Sequence, residues 1–90
     1  MIGNQVIDEL RRAVAKFPTW PTDPLHALNI LGEEFGELAK EVLQMVYEPD
    51  KASKTKIQSE AIQTAAMAIR FLASLDAYEY TPSKQHRQVL

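Results

Sequence analysis

Glu34 and Glu37 stand three residues apart in the run Glu33-Glu34-Phe35-Gly36-Glu37-Leu38, and Glu60 and Gln63 repeat that spacing in Glu60-Ala61-Ile62-Gln63. On an α-helix, residues i and i+3 are surface neighbours, so each pair projects its oxygens from one spot. If the two helices fold back on each other, three carboxylates and an amide oxygen converge. Unit charges ~4 Å apart at an effective dielectric of ~20 interact by roughly 4 kcal/mol, so such a cluster demands protons or a cation. Magnesium takes oxygen ligands and is held by a few carboxylates together with substrate phosphates. The pattern therefore points to phosphate-processing chemistry. The competing structural reading is that Glu33, Glu34, Glu37 and Glu41 form a solvated face of good helix formers.

The elements that must position these groups are separated by prolines. Asn4 is placed to cap a first helix carrying Val6, Ile7, Leu10, Val14 and Phe17 at helical spacing, and Pro18 closes it. Pro18-Thr19-Trp20-Pro21-Thr22-Asp23 is a stiff polar connection, and Asp23 before Pro24 marks a helix start: a capping side chain, then proline at the first helical position. Leu25, Leu28, Leu31, Phe35, Leu38, Val42 and Val46 then recur at three and four residues until Glu48-Pro49-Asp50. Ile57, Ala61, Ala65, Ala68, Leu72 and Leu75 define a third helix that starts between Lys51 and Lys56 and ends before Pro82. The expectation is a single all-α domain over residues 1–81, an antiparallel helical bundle, with a polar tail over residues 82–90.

On a helical projection, Glu34, Glu37 and Glu41 run along one edge of the stripe Leu31, Phe35, Leu38 and Val42. Glu60, Gln63 and Met67 border the stripe Ile57, Ala61, Ala68 and Leu72 in the same way. An antiparallel pair packed through the stripes brings both polar edges to one groove, as carboxylate sites in helical bundles do. Gly32 and Gly36 lie one turn apart within the motif, and each costs roughly 1 kcal/mol against alanine in a helix interior. They imply close approach of another backbone. Leu25 and Leu43 share the glycine face, and the third helix carries a second stripe of Ile62, Ala66, Ile69 and Ala73. Helices apolar on two sides need more cover than three helices supply, so the bundle is expected to be completed by homo-oligomerisation, as a dimer or tetramer.

Composition narrows the function classes. The chain of 90 residues has no cysteine, which removes disulfides and thiolate metal sites. A formal charge of −2 argues against nucleic acid as partner, since that binding draws on clustered Lys and Arg. No apolar run approaches the ~20 residues of a membrane span, and the first ten residues lack a basic-then-apolar leader pattern. No membrane association and a cytoplasmic location are therefore expected.

The run Leu31-Gly32-Glu33-Glu34-Phe35-Gly36-Glu37-Leu38-Ala39, followed by Glu60-Ala61-Ile62-Gln63 at the head of an alanine-rich helix, resembles the MazG-type all-α nucleoside triphosphate pyrophosphohydrolases. Their relatives include dimeric dUTPases and phosphoribosyl-ATP pyrophosphohydrolases, and their signature is Glu-x-x-Glu on one helix and Glu-x-x-Asp on the next. The resemblance spans Pro24 to Leu75. It implies a four-helix-type bundle in a dimer or tetramer, with Mg2+, or Mn2+, at the acidic groove, and hydrolysis of a nucleoside triphosphate to monophosphate and pyrophosphate. By position Glu34, Glu37 and Glu60 carry over as metal ligands, and Gln63 stands where the family has aspartate. Glu33 and Glu41 are candidates to take a proton from the attacking water.

Gln63 supplies a dipole where the family supplies a charge. Three outcomes stay open: fewer metal ions, compensation by Glu33 or Glu41, or a catalytically weak helical oligomer that serves as a nucleotide-binding or protein-interaction module. Around the motif, Trp20 is suited either to stack on a base or to cover the end of a small core. Lys54 and Lys56 either reach phosphates or stay solvated, with Lys56 spaced to pair with Glu60. His26 reads as a surface or packing residue.

Overall fold

The structure, a computed structural model, describes residues 1–82. All but the first residue of the expected tail lies outside that range. Three helices form where the prolines divide the chain: α1 over Ile2–Lys16, α2 over Pro24–Tyr47 and α3 over Lys54–Ala73, with single 3-10 turns at Pro49–Lys51 and Leu75–Ala77. Among the described residues there is no strand. The fold is all-α. No helix among these residues is long and apolar enough to cross a membrane.

The helix boundaries follow their local chemistry. Asp23 accepts a hydrogen bond from the Leu25 N–H at 3.0 Å, with Pro24 in the first turn of α2. Ser53 accepts from the Lys56 N–H at 3.2 Å and starts α3. At α1 the expected Asn4 cap is not used. The helix begins at Ile2, and Gln5 N–H already bonds the Met1 carbonyl at 3.2 Å. Residues 1–5 are exposed, so water satisfies the first amides and no side-chain cap is required.

Helix α3 is the centre of the fold. It packs against α1 on one side and α2 on the other, while no Cα of α1 comes within 8 Å of one in α2. Around α3, Glu60 adjoins Glu34 of α2 and Ile62 lines the contact with Glu9 and Arg12 of α1, and a helical projection puts Ile57, Thr64, Met67 and Phe71 on the Glu60 side and Ala66 on the Ile62 side. Gln63 and Arg70 lie between these two sides, on the floor of a groove that α1 and α2 flank. The result is a layer of extents 50 × 33 × 20 Å with a radius of gyration of 16.1 Å, against about 12 Å for a compact chain of this length.

One buried cation holds the layer together. Arg70 is only 8% exposed. Its guanidinium donates to the carbonyls of Phe17 and Thr19 and stacks on the Trp20 ring at 4.9 Å. Trp20 Nε1 donates to the Tyr78 hydroxyl at 3.0 Å, and that hydroxyl donates to the Phe71 carbonyl at 3.0 Å. The end of α1 and the connection after it are thereby fixed to the last turns of α3. Trp20 thus covers the end of the core.

The apolar stripes are used differently from the sequence expectation. Leu31 and Leu38 are half-buried, but Phe35 is 61% exposed and Val42 is exposed beside it. The face of α2 that meets α3 is centred instead on Ala27, Glu34, Leu38 and Glu41. On α3, Ala61, Ala68 and Leu72 are exposed, while Ala66 of the second stripe is fully buried inside the chain, on the α1 side. Each helix has more apolar surface than one neighbour can cover, so periodicity alone does not choose the buried sector. Among the described residues no large apolar side chain is fully buried. A Cβ added at Gly32 or Gly36 would meet nothing within 4 Å, so no described segment makes the close approach those glycines permit.

Candidate functional site

Glu34 projects from the third turn of α2 into the contact with α3, because it shares a face with buried Ala27 and half-buried Leu38. Burial raises its carboxyl above the ordinary carboxylate value, and the charges of Glu60, Glu37, Glu9 and Glu33 push it further in the same direction. Three helices therefore contribute to one negative cluster. Glu60 Oε2 in the cluster, and Glu41 Oε2 further along α2, are buried without a hydrogen-bond partner. A buried carboxylate oxygen left unpaired is costly, and the ion pair that Lys56 is spaced to make with Glu60 does not form: Lys56 is exposed.

Beside the cluster lies a cavity of about 520 Å³. Its floor is Gln63, Met67 and Arg70 of α3. One wall is Glu9, Arg12 and Lys16 of α1, the other His26, Ile30, Glu33 and Glu34 of α2, and the segment carrying Trp20 closes one end. Of the residues singled out from sequence, Glu33, Glu34, Gln63 and Trp20 line this cavity. Glu37 and Glu60 adjoin Glu34 electrostatically without lining it, and Glu41 lies one helical repeat further along the same face of α2. Lys54 and Lys56 are exposed in the first turn of α3, outside the cavity.

The donor set suits a hard cation: carboxylate oxygens, one of them buried without a partner, and one amide oxygen. As the side chains stand, no three His, Asp or Glu groups among the described residues are gathered closely enough to hold an ion. Ligation therefore requires glutamate rotamers to draw together. Gln63 donates its amide nitrogen to Ser59 Oγ at 3.4 Å, which orients its side chain along α3.

Sequence reasoning missed Glu9 and Arg70. Glu9 had a weak signal, an acid bordering Leu10 and Ala13 on the packing side of α1. Arg70 had a stronger one, a single cation inside the apolar run Ala68-Ile69-Arg70-Phe71-Leu72. Such a residue is placed to be buried with its charge satisfied. Comparison of the chain with protein-family models, with curated proteins and with solved structures finds no match.

The raised Glu34 carboxyl gives a pH signature. Between its unfolded value, near 4.5, and its higher folded value, the folded chain binds more protons than the unfolded one. Stability therefore falls as pH rises through that window. In metal-free protein, Glu34→Gln is more stable than the parent at pH 7 by urea unfolding, and the advantage disappears below pH 4.5. No advantage at pH 7 would mean that Glu34 is solvated, and an advantage independent of pH would mean that its charge is not the cause.

Proposed function

We propose that this chain is a metal-dependent nucleoside triphosphate pyrophosphohydrolase, cutting a nucleotide between its α- and β-phosphates to leave the monophosphate and pyrophosphate. The observation that carries the reading is the desolvated Glu34, surrounded by the charges of four other glutamates at the edge of a cavity of about 520 Å³. That volume falls within the ~300–1,000 Å³ of small-molecule sites. The MazG-type motif resemblance supports the same chemistry from sequence.

In this reading Glu34, Glu37 and Glu60 hold Mg2+ or Mn2+, with the Gln63 amide oxygen at the fourth motif position and Glu9 completing the charge. A cation held there would supply positive charge to offset the phosphates and favour attack of water at the α-phosphorus. Glu33, exposed on the cavity wall, has the access to water needed to accept its proton. Glu41, with its buried unpartnered oxygen, suits support of ligation instead. Trp20 already has its N–H and the Arg70 side of its ring engaged, so any base contact falls on its remaining surface.

Incubation with a panel of nucleoside triphosphates and Mg2+ or Mn2+ tests the reading. Pyrophosphate and monophosphate appear in equal amounts without free phosphate, and Glu60→Gln lowers the rate by at least about 100-fold, the upper range for loss of a group supporting a metal site. Gln63→Asp, which adds the charge the motif lacks, raises metal affinity. The second reading, a nucleotide-binding or interaction module without turnover, is favoured by the uncharged Gln63 and its bond to Ser59. It would be shown by nucleotide binding with no product for any member of the panel.

The proposal includes a homo-oligomer, dimer or tetramer, that completes the helical bundle. Phe35, Val42 and Leu28 of α2 and Leu72 of α3 are exposed. Helical projection puts this apolar band on the side of the α2–α3 pair away from the cavity, and the open glycines, with Leu25 and Leu43, on the neighbouring face of α2 turned away from α3. A contiguous apolar face of this kind marks an interface, and a second copy brings the same small-residue surface to it. Sedimentation at micromolar concentration gives a dimer or tetramer, and Phe35→Glu, at an exposed position, gives a folded monomer. A monomeric parent would remove this part of the proposal.

A further inference from the structure

The cavity is electrically divided along its length. The face of α1 that lines it carries Glu9, Arg12 and Lys16 at helical spacing, so charge changes from negative beside Glu34 to positive toward the Trp20 end. At that end Arg70 forms the floor. Its guanidinium bonds only carbonyl oxygens and an aromatic face, and no carboxylate pairs with it among the described residues. A buried cation compensated by dipoles alone keeps the potential there positive. Arg12 stands where the sign changes. It grips Glu9 with two hydrogen bonds, Nε to Oε1 at 3.1 Å and a terminal nitrogen to Oε2 at 2.6 Å, yet its side chain is 57% exposed and that of Glu9 only 17%.

We propose that Arg12, backed by Lys16 and Arg70, grips an oligophosphate chain laid along α1, and that Glu9 is a latch holding Arg12 off the ligand until a cation engages the acidic end. The nucleoside triphosphate as occupant rests on the proposed function. The oligophosphate class rests on the cavity alone: one end suits a cation, the other a polyanion, and a guanidinium fork matches phosphate oxygens at two points. Arg12 is solvent-exposed on its side of the pair and free to turn, whereas Glu9 is mostly covered and needs a replacement positive charge before it releases Arg12. A cation shared by Glu34 and Glu9 draws the Glu9 charge away from Arg12, which then turns to the phosphates. Lys54 and Lys56, the lysines that sequence alone brings forward for phosphate contact, lie outside the cavity.

Calorimetric titration with inorganic tripolyphosphate, with Mg2+ and with chelator, tests this in the full chain. With Mg2+ the parent binds, Arg12→Gln weakens binding about tenfold, as loss of one charge-assisted contact does, and Arg12→Lys recovers part of it. With chelator, Glu9→Gln binds more tightly than the parent and by more than Glu33→Gln, which removes an equal charge from the same cavity without freeing Arg12. The Glu9→Gln gain vanishes in the Arg12→Gln background. Undiminished binding by Arg12→Gln, equal effects of Glu9→Gln and Glu33→Gln, or no binding by the parent each overturns the inference. Pyrophosphate release from nucleotides, measured in parallel, separates the two claims. Turnover by the parent with an unchanged KM in Arg12→Gln removes the grip and keeps the hydrolase. Arg12-dependent tripolyphosphate binding without turnover removes the hydrolase and keeps the grip.

Discussion

Two acidic side chains from different helices, Glu34 and Glu60, share the α2–α3 contact, and the rest of the molecule is organised around the consequences. A helix pair selected only for stability would fill that contact with leucine and alanine. Here the carboxyl of Glu34 is desolvated and repelled by its neighbours, and Glu60 buries an oxygen without a partner. The Glu60 charge disfavours the ionised form of Glu34, so the contact lacks the stabilisation that apolar side chains would give it. In the proposed function, a cation in the cluster would turn the same residues from a liability into a stabilising site.

The separation of α1 from α2 is the second consequence. Because only α3 touches both, the layer keeps a groove above Gln63 and Arg70, and the glutamates reach a cavity instead of closing into a core. Arg70 sets the geometry of that groove by fixing the end of α1 and the Trp20 segment to α3. The opposite side carries the unused apolar surface of α2 and α3, and on the neighbouring face of α2 two glycines face open space. A polar groove on one side and an apolar band on the other divide ligand binding from assembly in the proposed function.

Much of this was legible from the residues. Asp23-Pro24 and Glu48-Pro49 bound α2 because capping and proline chemistry are local, and Ser53 caps α3 within the interval left for its start. The neighbourhood of Glu34, Glu37 and Glu60 followed from i and i+3 spacing on two helices joined by a short connection. The choice of packing face did not. Phe35 and Ala61 looked internal by period, yet they are exposed, because a period identifies apolar sectors without saying which neighbour covers each. Glu9 and Arg12 escaped notice for a related reason: their roles come from the docking of α1 on α3, a contact between residues far apart in sequence.

The central claim is that the glutamates of α2 and α3 form one divalent-cation site. Titration of the metal-free protein with Mn2+, followed by electron paramagnetic resonance of the free ion, measures this directly. The account predicts saturable binding that competes with Mg2+ and is lost in Glu60→Gln. Retention of Mn2+ unchanged in Glu60→Gln, or failure of the parent to bind it, would contradict the account.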